Sequence, residues 1–97
     1  MTNMVTTARD NIIREAIERT LAPGRIGVVR VHEDVDHDGD PIYRITIVLA
    51  SDDEELEAEK AVRLWEAVID ALQENGFEVR FPIFTFMTPS EAQQDAA

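Results

Sequence analysis

Apolar residues recur at three- and four-residue spacing in two stretches of the chain and at two-residue spacing in others. Ile12, Ile13, Ala16, Ile17 and Leu21 follow the helical period, with Thr7 as the expected cap, Asp10/Arg14 and Glu15/Arg19 as supporting pairs, and Pro23-Gly24 as the stop. Arg25 to Glu33 is valine-rich and reads as a strand. Ile42 to Leu49 reads as another, with Tyr43, Ile45, Ile47 and Leu49 on one face. The polar run Asp34 to Pro41 between them predicts a hairpin.

A second helix is expected to open at Ser51, which stands three residues before Glu54 as in a capping box. Ala58, Ala61, Val62, Trp65, Val68, Ile69 and Leu72 fall within an arc of about 120° on its wheel, so the arc, Trp65 included, is assigned to the core. Asn75-Gly76 supplies the stop. The last strand carries Phe77, Val79 and Phe81 on one parity and Phe84 and Phe86 on the other, so a bulge at Pro82-Ile83 is expected to bring both sets to the core face. Proline implies that this strand lies at a sheet edge or keeps its unpaired side outward.

These elements define an α+β fold in the order αββαβ: a two-layer sandwich, with two helices on one face of a three-stranded, mainly antiparallel sheet. The third strand is expected beside the first, in the order 2-1-3. The chain reads as one domain over residues 1–97, with an ordered core over about 7–87. Residues 1–6 and 88–97 show no apolar face and are expected to be flexible. The order αββαβ resembles that of KH-like RNA-binding folds, but the GxxG loop of that family is missing.

Composition changes this reading mainly through charge. Twenty acidic residues against nine basic ones give 97 residues a net charge of -11, which repels phosphate backbones and anionic lipid and argues against nucleic-acid or membrane partners. Glu33 to Glu59 holds eleven carboxylates against Arg44 alone. A strand of eight residues spans about 26 Å, so these acids form two patches at opposite ends of the sheet, one on the hairpin and one at the start of the second helix. The absence of cysteine excludes disulfides and thiolate chemistry. No apolar run is long enough for a membrane helix, and the N-terminus lacks the basic-then-apolar order of a signal peptide, so the expected compartment is the cytoplasm.

The hairpin carries the most suggestive pattern. Asp34, Asp36 and Asp38 alternate before Gly39 and Asp40, as in the first half of a calcium loop. The twelfth position, where an EF-hand needs a bidentate glutamate, is Ile45, and the flanks are strands, so an EF-hand is rejected. Two readings stand: a calcium or magnesium site built from Asp34, Asp36, Asp38 and Asp40, or a solvated turn whose aspartates satisfy its own amides. His32 and His37 read as surface histidines. Ser51 and Ser90 offer no nucleophile, and Pro23 to Gly27 lacks the lysine and spacing of a phosphate loop. No catalytic constellation emerges, and the chain reads as a non-enzyme.

Phe84, Phe86 and Met87 lie in an aromatic strip that reads either as a core strand or as a docking edge. The leading expectation is a small acidic interaction domain that forms a homodimer through this strip and binds a basic protein partner. The alternative is the hairpin metal site.

Overall fold

A computed structural model of the chain describes residues 4–21 and 23–95. Six elements carry the fold: helix α1 (Met4–Leu21), strands β1 (Ile26–Val35) and β2 (Pro41–Leu49), helix α2 (Ala58–Glu74), strand β3 (Phe81–Met87) and helix α3 (Pro89–Asp95). A single 3-10 turn, Pro23–Arg25, follows α1, as the proline-glycine pair implies. The class is α+β.

The sheet is mixed, in the order β1-β2-β3. β1 and β2 form the antiparallel hairpin, whereas β3 runs parallel to β2 from Ile42/Phe81 to Val48/Met87. The expected order 2-1-3 is therefore wrong, and the reason lies in the sequence. β2 buries Tyr43, Ile45, Ile47 and Leu49 on one side and also Ile42 and Val48 on the other, where Arg44 between them is exposed. β1 carries Arg30, His32 and Asp34 on its second face, and these suit an edge. A strand that follows β2 through a helix is then positioned for a parallel β-α-β pairing. β3 has one neighbour, and Pro82 is accommodated on such an edge.

The core joins Ile13, Ile17 and Leu21 of α1, Leu64, Val68 and Leu72 of α2, and alternate residues of β2 from Tyr43 to Leu49. Val29 and Val31 of β1 and Phe84 and Phe86 of β3 pack against it. α1 and α2 pack on each other, α1 also touching β1 and α2 touching β3.

Three boundaries depart from the sequence pattern. α1 begins at Met4, so Thr7 lies inside its first turns, and Arg14 pairs with Glu18 at 2.9 Å instead of with Asp10. α2 begins at Ala58, behind the N-cap Glu57, and not at Ser51. Ser51 to Asp53 form a turn in which Glu54 N–H donates to the Ser51 carbonyl at 3.3 Å. α3 occupies part of the tail expected to be flexible; residues 1–3 and 96–97 lie outside the described residues. Its start is a complete capping box: Glu91 N–H donates to Thr88 Oγ1 at 3.2 Å, and Thr88 N–H donates to Glu91 Oε1 at 3.1 Å. Pro89, at the first helical position, favours this start because its missing N–H would have no partner there anyway.

The end of α2 follows the pattern. Gly76 takes φ +73°. Its N–H donates to the Gln73 carbonyl, and Phe77 N–H donates to the Leu72 carbonyl. Both bonds are those of a Schellman cap, and Phe77 packs against the core cluster that includes Leu72. Phe77 thus reaches the core from the cap and not from a strand.

Candidate functional site

Three places carry unusual chemistry. The first is the hairpin. Asp36 Oδ1 accepts the Asp38 and Asp40 backbone N–H groups, each at 2.9 Å, while Gly39, at φ +85°, donates its N–H to the Asp36 carbonyl. Asp34 turns the other way, with Oδ2 at 2.6 Å from Arg44 Nε and Oδ1 accepting Val35 N–H at 2.8 Å. His37 Nε2 stands 3.6 Å from Asp38 on an exposed turn. Asp34 and Asp36 therefore serve the hairpin's own donors. Among the described residues, no three histidine, cysteine or acidic side chains gather in an arrangement that could hold a metal ion.

The acids expected to cap α2 are used elsewhere. Asp52 accepts Ser90 N–H at 3.0 Å and Ser90 O–H at 2.6 Å, tying the start of α3 to the segment after β2. Glu54 accepts from Arg25 Nε at 3.1 Å, and the same guanidinium donates to the Glu55 carbonyl at 2.7 Å. The Ser90 hydroxyl and then its N–H hold the Asp52 carboxyl below its ordinary 3.8, and Arg44, then Val35 N–H, do the same for Asp34. A carboxyl depressed in the folded state contributes stability above the unfolded value and loses it as pH falls through the folded one. The stability difference between the parent chain and Ser90→Ala is expected to stay constant above about pH 5 and to shrink below 3.8, in denaturant titrations at stepped pH. A difference that grows on acidification would contradict this assignment.

The second place is a charged cluster at one end of the core. Glu33 bridges two guanidinium groups, at 3.3 Å from Arg9 and 3.2 Å from Arg80. Both guanidinium groups stand over the Tyr43 ring, at 5.1 and 5.4 Å from its centroid. Asp10 pairs with Arg9 and Glu78 with Arg80, each at 2.9 Å. Tyr43 donates its hydroxyl to the Glu78 carbonyl at 3.0 Å. Arg9 is 7% exposed, which a cation tolerates only when paired in this way. Burial pushes the Tyr43 hydroxyl up, away from any proton-transfer role near neutrality. The cluster joins α1, β1, β2 and the approach to β3, so its chemistry is that of a clamp. Sequence reading missed it because its members are scattered from Arg9 to Arg80.

The third place is an apolar strip. α2 buries Leu64, Val68, Ala71 and Leu72, so the arc centred on Trp65 is not the buried one. Val62 is 61% exposed and Trp65 39%, correcting the assignment of both to the core. β3 begins at Phe81 and runs in unbroken register, so the expected bulge at Pro82-Ile83 is absent. Phe84 and Phe86 share the core parity, whereas Phe81 and Val79 are left 58% and 42% exposed. The Trp65 and Phe81 rings meet at 6.0 Å between centroids, making one continuous apolar surface from α2 to the start of β3. Phe84 and Phe86 stack on each other at 6.2 Å and are half-buried, with Met87 half-buried on the opposite parity. The sequence-expected docking residues are thus partly occupied by the fold, and the most exposed aromatic surface is the one sequence reading gave to the core.

No helix among the described residues is long and apolar enough to cross a membrane. The chain matches no protein-family model, no curated protein and no solved structure.

Proposed function

We propose that the chain is a cytoplasmic, non-enzymatic protein-interaction domain that docks a protein partner on the strip formed by Val62, Trp65, Val79 and Phe81. The observation that carries this reading is the exposure of these four large apolar side chains on neighbouring elements, in a chain with few aromatics to spare. Scattered exposed apolar residues are ordinary on any surface, but a tryptophan and a phenylalanine in ring contact form a patch of the kind that anchors interfaces. The charge of -11 suits a basic partner. Self-association is a second reading, favoured by β3, whose outer edge has no neighbouring strand among the described residues and which carries Phe84, Phe86 and Met87.

A photoreactive side chain placed at Val62 in growing cells tests the docking surface. The expected result is a discrete adduct that is absent when the same group is placed at Asp53 and is lost with Phe81→Ser. Equal, diffuse labelling from the two positions would overturn the proposal.

A further inference from the structure

We infer that the occupant of the α2 strip is a basic amphipathic helix of a different protein. This deepens the docking reading and rests on it. Val62, Trp65 and Ile69 stand at i, i+3 and i+7, extended by Ala58 and Leu72 into the alternating four- and three-residue spacing of a helix-pairing seam. The fold buries the Leu72 end of that seam and half-buries Ile69, leaving Ala58, Val62 and Trp65 exposed. One flank is closed, because Leu64 and Val68 are buried in the core and Ala61 is half-buried beside them.

The open flank carries Glu59, Glu66 and Asp70, all exposed, at i, i+7 and i+11. On a helix of 3.6 residues per turn these spacings form one column alongside the seam. Arg63 is the one cation beside that column. A second copy of the chain meeting this seam must present the same open flank, because its other flank is covered by its own fold. The acidic columns would then face each other, and like charges across an interface cost affinity. A helix with apolar residues at the same spacing and Lys or Arg beside them pairs with both features at once. The ligand chemistry is thus a cationic amphipathic helix of about four turns, which spans the seam from Ala58 to Leu72.

The test uses three synthetic peptides: one with a leucine seam flanked by lysine, one with the same seam flanked by glutamate, and a scramble of the lysine peptide. Anisotropy of labelled peptide reads affinity, and emission from Trp65, the only tryptophan, reports where it binds. The lysine peptide is expected to bind saturably and to perturb Trp65. It should bind at least about 10-fold tighter than the glutamate peptide or the scramble, and weaken as salt is raised.

Replacing Glu59, Glu66 and Asp70 together by lysine should invert the preference between the lysine and glutamate peptides. The same charge change at Asp38, Asp40 and Asp53 should leave the preference in place. Equal effects of the two triple replacements, or a scramble as tight as the seam peptide, would show bulk charge alone and overturn the inference. A Val62 photo-adduct consisting of two copies of this chain would also overturn it, while leaving the docking surface standing. No adduct at Val62 and no Trp65 response would remove both.

Discussion

Leu64→Ala is expected to destabilise the chain by about 2–5 kcal/mol, whereas Trp65→Ala, one residue on and a far larger truncation, should cost less than about 1.5 kcal/mol. Leu64 is fully buried between α1 and the sheet, so its removal forfeits transfer energy and leaves a cavity in a core with few residues to close it. Trp65 stands on the next helix position, about 100° round, where its described aromatic contact is the Phe81 ring. Urea unfolding followed by far-ultraviolet circular dichroism measures both. The order of the two losses, more than their size, reports how α2 is rotated.

The second large effect is expected at Tyr43. Tyr43→Ala should cost about 3–5 kcal/mol, because the ring is buried and two guanidinium groups lie over it. Tyr43→Phe keeps the ring and both cation–π contacts and loses only the bond to the Glu78 carbonyl, for about 1 kcal/mol. If the two variants lose equal stability, the hydroxyl and not the ring holds the clamp together.

How much of this was legible in the sequence depends on whether the signal was local. The alternation of Tyr43, Ile45, Ile47 and Leu49 set β2 and its core face. Asn75-Gly76 marked the end of α2 because a left-handed residue there is a local demand. The start of α3 was also local, since Thr88-Pro89-Ser90-Glu91 is a capping box with proline at its favoured place. The pattern nevertheless reads as a tail, because the residues beyond it lack an apolar face.

The failures are tertiary. α2 carries more apolar residues than one buried stripe can hold, and the wheel cannot say which arc α1 and β3 will cover. Ser51 and Glu54 form a plausible cap by spacing, yet Arg25 takes Glu54 and Ser90 takes Asp52 from distant parts of the chain. β2 held only a partial signal for the neighbour of β3, since Ile42 and Val48 are apolar on its second parity but Arg44 and Thr46 between them are polar. The hairpin aspartates are a different case, because their spacing suits a calcium loop and equally suits Asp36 for binding the amides of Asp38 and Asp40, so both readings of the sequence stand.

α2 and the start of β3 hold an apolar surface outside the buried core. The most direct measurement is the unfolding free energy of the double variant Trp65→Ser, Phe81→Ser. The expected loss is no more than about 1.5 kcal/mol, with an unchanged circular dichroism spectrum, because both rings face solvent in part and pack on each other outside the buried core cluster. A loss as large as that of Leu64→Ala would mean that the two rings belong to the core and would contradict it.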